Sequence, residues 1–236
     1  EDLEDTLARP SRIRKIIVSE LEDVRKKYAE SRRTGILYDY AEDAESEEDA
    51  IEDYPVTLFL SQHGYFKKIT PQSLRMSGEQ KFKEDDALSM SVESSNAAEL
   101  MFFTDKAQVY KTRASDFADG KASQLGDYLP AKLGMDEGES VMGMVLPGDY
   151  SGYMIFFFEN GKAAKVELSA YRTTSNRRRL TGAYSDKSPL KALLHLKEDR
   201  EIAVYSTEPR VLIVNTALLG VKTTRTTQGV ALLTLK

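Results

Sequence analysis

One hairpin-shaped pattern occurs four times along the chain, and that repetition limits the folds open to it. The first copy is Ser61-Gln62-His63-Gly64-Tyr65-Phe66-Lys67-Lys68, placed after the alternating apolar run Val56, Leu58, Leu60. The pattern returns at Thr104–Lys111 around Ala107, at Phe158–Lys165 around Gly161, and more loosely at Thr207–Val214 around Arg210. Aligning these four turn residues gives spacings of 43, 54 and 49 residues. Each copy has a hydrophobic strand, a polar turn and a second strand, which in three copies ends in lysine. Alternating apolar residues on either side of a turn are the mark of a β-hairpin. A period of roughly 40 to 50 residues with several strands per unit is the signature of propeller blades. The expectation is an all-β, propeller-like domain of about four blades, preceded by one amphipathic helix. The blades are read as residues 54–97, 98–150, 151–200 and 201–236.

Ahead of the repeats, Ile13, Ile16, Ile17, Leu21, Val24 and Tyr28 follow Pro10 and Ser11 at helical spacing. They predict a helix to about Ala29, with Ser11 as its cap. Its apolar face packs either on the side of the repeat domain or on something outside this sequence. Residues 1–35 are read as helix and junction, and residues 36–53 as a linker. From Asp39 to Asp53 the chain is crowded with carboxylates and has no basic side chain, so like-charge repulsion keeps it from packing. A calcium loop there would need glycine at set positions, which is missing.

Charge is segregated along the chain. Residues 1–53 carry 9 Lys/Arg against 17 Asp/Glu, whereas residues 54–236 carry 24 against 21. The net of −5 therefore hides an acidic lead-in and a mildly basic repeat domain. Such asymmetry points toward a polyanionic partner. With 41% hydrophobic residues the chain can bury a core, yet no apolar run approaches the roughly 18 residues of a membrane helix. No signal-peptide pattern opens the chain, and it begins without methionine, as a piece of a longer protein would. Cysteine is absent, which excludes disulfides and thiolate-ligated zinc and fits a reducing cytoplasm.

Catalytic constellations are missing. There is no Gly-x-Ser-x-Gly elbow and no Gly-x-x-x-x-Gly-Lys-Ser/Thr phosphate loop, and His63 and His195 are the only histidines. Met135–Ser140 gathers three carboxylates, which a turn explains. No catalytic residue, metal site or cofactor is expected in this stretch. Cations are what recur. Lys68, Lys111 and Lys165 end equivalent second strands, with Lys67 beside the first. The following loops hold Arg75, Lys81 and Lys83, then Arg113 and Lys121, then Arg172 and Arg177, Arg178 and Arg179, and finally Lys222 and Arg225. In a ring of blades, equivalent positions share one rim, so these residues predict a curved basic stripe that meets the phosphates of a bent duplex without reading bases. The alternative is a propeller-type scaffold that docks another protein, its cations guarding β-edges.

Two stretches resemble a known family. Ile16–Tyr28 with Arg32-Arg33-Thr34 resembles the end of the breakage-reunion region in bacterial type IIA topoisomerase A subunits, the closing helix before the C-terminal domain. Gly64-Tyr65-Phe66-Lys67-Lys68 and Lys222–Val230, with its ending Thr227-Gln228-Gly229-Val230, resemble the repeats of that C-terminal domain. For gyrase and topoisomerase IV A subunits the resemblance implies a β-pinwheel, a ring whose strands cross between neighbouring blades and whose outer rim binds and bends double-stranded DNA. It also implies two protein partners, the A-subunit core and the ATPase B subunit, with ATP and magnesium in the latter. The parent would be a type II topoisomerase of the bacterial cytoplasm and nucleoid. Where gyrase A subunits carry a Gln-Arg-Arg-Gly-Gly-Arg-Gly-like box, this chain has Ser73–Lys81, which argues against tight wrapping and negative supercoiling and favours a topoisomerase IV-like or degenerate gyrase-like protein. Four copies, against the family's usual five or six, leave ring closure open.

Overall fold

The computed structural model describes residues 2–29, 51–76, 79–173, 178–205 and 210–232. The chain divides into two units, Glu1–Glu48 and Asp49–Lys236. In the first, α1 (Asp2–Ala8) precedes α2 (Pro10–Tyr28). Pro10 begins α2 rather than ending a preceding segment. Its missing N–H is an orphan at that position anyway, and Ser11 lies inside the helix instead of capping it. The expected apolar stripe is present and exposed, with Leu21 62% and Tyr28 74% accessible. Most of the acidic linker, including Asp39 to Asp49, lies outside the described residues, as does Arg32-Arg33-Thr34.

The second unit builds its strands repeat by repeat. The first repeat gives β1 (Pro55–Ser61), β2 (Tyr65–Ile69), the short helix α3 (Pro71–Met76) and β3 (Leu88–Ser95). The second gives β4 (Glu99–Thr104), β5 (Gln108–Arg113), β6 (Asp127–Tyr128), α4 (Leu129–Leu133) and β7 (Val141–Val145). The third gives β8 (Tyr153–Phe158), β9 (Lys162–Glu167), β10 (Arg179–Thr181) and β11 (Leu190–Leu196). The fourth gives β12 (Glu201–Tyr205), β13 (Val211–Asn215), β14 (Val221–Lys222) and β15 (Val230–Ala231).

Sheets and repeats do not coincide. The sheet orders are β3-β1-β2-β6, β7-β4-β5-β10 and β11-β8-β9-β14, with β15 also on β9. Each hairpin is thus flanked on one side by its own third strand and on the other by a strand donated from the next repeat. The donated strand ends each time on the turn: Leu129 N–H donates to the Gly64 carbonyl, Ala183 to Ala107 and Leu232 to Gly161, at 3.0, 2.8 and 2.9 Å. These acceptors are the three turn residues the repeat aligns, and all have positive φ. On the other side, Gln62, Asp105 and Glu159 donate to Ala87, Ser140 and Pro189, each just ahead of a third strand. Equivalent hydrogen bonds at equivalent places make the repeats structural as well as sequential. The fourth hairpin, β12-β13, is a two-stranded sheet among the described residues.

Alternation along the strands then builds the core between sheets. Val56, Leu58, Leu60 and Phe66 face Leu100, Phe102 and Tyr110 across the first two sheets. Met101, Phe103 and Val109 on the reverse of the second sheet face Met154, Phe156 and Phe158 on the third. Both faces of β4 are therefore buried, as are most of the side chains of β8. A 3-10 turn follows each of the later second strands, at Ala114–Asp116, Leu168–Tyr171 and Thr216–Leu218. Phe117, Tyr171 and Leu219, at matching places by these turns, are buried. Phe117 packs on Phe66 and Phe102, and Tyr171 meets Phe103 edge-on at 5.4 Å. The segments that carry donated strands span residues 114–126, 168–178 and 216–229, of which 174–177 lie outside the described residues, and each is anchored in the core near its start by Phe117, Tyr171 or Leu219.

Candidate nucleic-acid interface

The three lysines that end the second strands occupy equivalent places, and those places are inside the protein. Lys68 and Lys165 are 3% accessible, and the Lys111 side chain is nearly as covered. Lys68 Nζ donates to Asn96 Oδ1 at 2.5 Å and pairs with Asp119 at 3.1 Å, above the Tyr54 ring. Lys111 pairs with Glu99 at 3.0 Å, donates to the Tyr171 carbonyl at 3.2 Å and lies over Tyr150. Lys165 pairs with Asp199 at 2.5 Å, donates to the Thr216 carbonyl at 3.2 Å and lies over Tyr153. Lys67, also buried, donates to the carbonyls of Lys81 and Ala122 above Phe82, and burial pushes its ammonium down from the ordinary lysine value. A strand whose two faces are both covered turns every side chain inward, so sequence equivalence places these lysines alike without placing them outside. Each of Lys68, Lys111 and Lys165 instead holds a residue of the next repeat's crossing segment.

The other expected cations lie at the surface on loops and crossings. Arg75, Lys81 and Lys83 are exposed between β2 and β3. Arg113 and Lys121 are exposed at the first crossing; Arg172, Arg178 and Arg179 at the second; Lys222 at the third, with Arg225 half-buried beside it. Arg177 lies outside the described residues. Arg179 is engaged: its guanidinium bonds Asp136 and the Gln108 side chain and lies over Tyr110. Bonding to Asp136 raises the Arg179 guanidinium further, and the Asp136 carboxyl is held below the usual carboxylate range, chiefly by Arg179. Arg172 and Arg225 rest on aromatic faces, over Tyr150 and Tyr171, each 5.8 Å from the ring centroid. A guanidinium stacked in this way keeps its N–H fork for a phosphate. The supporting tyrosines were not read as part of the site from sequence, although Tyr150 and Tyr171 stand beside two of its members.

The carboxylates at Met135–Ser140 serve the turn. Glu139 accepts from the Tyr110 hydroxyl and the Asp136 N–H, both at 2.9 Å, and from the Thr104 hydroxyl. Burial, and then Glu139, push the Tyr110 phenol up to about 12. His195 contacts the Ser151 carbonyl, and His63 sits beside Asp86 in the first turn. No group of three or more His, Cys, Asp or Glu that could hold a metal occurs among the described residues, and none of their helices is long and apolar enough to cross a membrane.

The family described as DNA gyrase C-terminal domain, beta-propeller, matches residues 98–124. The A subunit of DNA gyrase from Streptococcus pneumoniae serotype 4 is 30% identical over 180 residues, 72% of this chain and 22% of that protein. The A subunit of DNA topoisomerase 4 from Bacillus subtilis is 26% identical over 176 residues, 73% of this chain and 22% of that one. The chain thus spans about a fifth of the length of these relatives. Among solved structures, the C-terminal domain of DNA topoisomerase IV superposes with a TM-score of 0.65 at 19% identity, covering 75% of this chain and 56% of that one.

Proposed function

The chain belongs to the gyrase A and topoisomerase IV A family, in the part that forms the C-terminal β-pinwheel, and from that premise we propose that residues 54–236 bind and bend duplex DNA. One observation carries this reading. Strand donation repeats three times and sets the crossings 114–126, 168–178 and 216–229 along the same edge of successive sheets. Cations at their surface therefore follow one another along one rim. Such an array favours phosphates and carries no base-reading element, so binding is electrostatic and weakly selective. In the parent protein the domain would present DNA to an A-subunit core for topology changes that an ATPase partner drives. The pinwheel itself would perform no bond chemistry.

Binding to a labelled duplex of about 40 base pairs tests the reading. Affinity should fall linearly with salt on a log–log scale, as counterion release requires. No binding at low salt would sink it. The scaffold reading would then lead, supported by the exposed apolar face of β12-β13, where Tyr205 is 77% and Ile213 69% accessible.

The acidic segment offers a second test. If its carboxylates compete with DNA for the same cations, deleting residues 39–53 should tighten binding several-fold in ~50 mM salt and much less in ~200 mM, where screening shortens the reach of exposed charges. Unchanged affinity at low salt would reject the competition.

A further inference from the structure

The cations of the rim are not spread evenly, and their distribution narrows where the duplex sits. The first crossing, 114–126, carries Asp116 and Asp119 against Lys121 and, at its entry, Arg113. The loop 70–87, at the matching place in the first repeat, carries four acids against Arg75, Lys81 and Lys83. By contrast, crossing 168–178 holds Arg172, Arg177 and Arg178, crossing 216–229 holds Lys222 and Arg225, and neither contains an acidic residue.

These two crossings also touch. The Arg225 guanidinium lies over Tyr171 of the second crossing. The methyl of Thr226 packs against Gly182, just past β10, where an added Cβ would come within 3.2 Å of it. The second and third crossings are therefore in contact, and the first differs from them in carrying carboxylates, one of which, Asp116, feels the charge of Arg178. Availability does not make this division, since Arg75, Lys81, Lys83 and Lys121 are likewise exposed with no side-chain hydrogen bond or ion pair to a described residue, but it removes other cations from the stripe. Lys68, Lys111 and Lys165 are committed inside, and Arg179 is committed to Asp136. No hydrogen bond or ion pair joins the side chains of Arg172, Lys222 or Arg225 to any described residue. Arg178 is at the border, where its charge helps hold the Asp116 carboxyl below its ordinary range, an effect smaller than those of the Arg113 N–H and the Thr112 hydroxyl on a group that burial alone would raise.

We infer that duplex DNA is held on an arc made by the two acid-free crossings, through Arg172, Arg178, Lys222 and Arg225, and not along the whole rim. This rests on the DNA-binding reading above. Its physical basis is charge balance: at the first crossing Asp116 and Asp119 offset Arg113 and Lys121, whereas the charged side chains within 168–178 and 216–229 are all cationic, with Glu167 just ahead of the second crossing. The tyrosine-backed arginines add preorganisation, since less side-chain freedom is lost when a phosphate docks.

The number of phosphates neutralised separates the arc from a full stripe. Four contacts give a slope of log K against log salt of about −3.6, a loss of roughly 150-fold between ~50 and ~200 mM salt. A stripe that also engaged Arg75, Lys81, Lys83, Arg113 and Lys121 would steepen the slope to about −8 or beyond. The experiment is fluorescence anisotropy of the full chain on a labelled 40-base-pair duplex, with circular dichroism as the folding check. Lys222→Gln with Arg225→Gln should make the slope shallower by about 1.8, and adding Arg172→Gln and Arg178→Gln by about 3.6 in all. Arg75→Gln, Lys81→Gln, Lys83→Gln and Lys121→Gln together should change affinity less than twofold. A wild-type slope near −8, or an equal loss from the second set, overturns the arc while leaving DNA binding intact. Absence of wild-type binding at low salt overturns the underlying reading instead.

Discussion

Replacing Gly229 with alanine is expected to release the donated end of the third crossing. An added Cβ would lie 2.1 Å from the Ala163 carbonyl oxygen, 2.4 Å from its carbon and 2.8 Å from the Ala164 nitrogen. All three are backbone atoms of β9, so no rotamer change relieves the overlap. The residue also has φ +73°, a region that costs any residue with a Cβ about 1 kcal/mol or more. Together these should cost more than about 3 kcal/mol, or a fall in Tm of roughly 8 °C or more for a domain of this size. The loss is local first: β15 leaves β9, and amide protection should fall at Leu232, whose N–H donates to Gly161. Gly126 stands in the same relation to the first sheet, where a Cβ would lie 2.3 Å from the Phe66 carbonyl oxygen, so Gly126→Ala should behave alike at β6. Gly134, at φ +62° with open space around it, is the control that carries backbone strain without a clash, and Gly220 carries neither. Equal melting temperatures for Gly229→Ala and Gly134→Ala would reject close backbone approach as the reason for glycine before the donated strand.

Those two glycines also mark how far the fold was legible in the sequence. The hairpins were readable because strands of five to seven residues leave an alternating trace, and each of the four aligned turn residues, Gly64, Ala107, Gly161 and Arg210, stands between two such strands. The short helix Pro71–Met76 inside an expected loop and the strands that cross were not readable from spacing. β6, β10, β14 and β15 are two or three residues long, too short for any period, and their partners lie 56 to 73 residues away. The resemblance to pinwheels supplied the crossing; in the sequence its only local trace is Gly126 and Gly229. For the site, periodicity equated Lys68, Lys111 and Lys165 correctly with one another, but equivalence says nothing about depth. The acids that hold them, Asp119, Glu99 and Asp199, were visible as residues and not as partners, because two of the three come from well outside the hairpin. The absence of acids from 168–178 and 216–229, by contrast, could have been read directly, and it is the feature on which the proposed arc rests.

The depth of those lysines leads to a measurement in which stability and DNA affinity part company. Lys165→Met keeps most of the buried stem and removes the ammonium that bridges Asp199 and the Thr216 carbonyl. That carbonyl then loses a donor in a buried place, and the 3-10 turn that starts the third crossing loses its tether to β9. The expected cost is about 1–3 kcal/mol, the range for losing a hydrogen bond from a charged group in a buried place, since Asp199 itself reaches solvent. Asp199 adds a pH signature. Its carboxyl is held below the ordinary carboxylate range first by the hydrogen bond from Lys165 and then by the Thr216 hydroxyl. A depressed folded value means that the clasp's contribution is complete above the unfolded aspartate value of about 3.9 and is lost as pH falls through the lower folded value. The gap in stability between wild type and Lys165→Met should therefore be constant near neutrality and narrow as the pH drops below about 4. Lys68→Met should destabilise similarly through Asn96 and Asp119. At a temperature where both variants are folded, the slope of DNA affinity against salt should stay at the wild-type value, because an ammonium enclosed by a carboxylate, a carbonyl and a ring is not displacing counterions from phosphate. A slope shallower by about 0.9 per lysine, with little change in melting, would instead place these residues at the DNA and return the stripe to the whole rim.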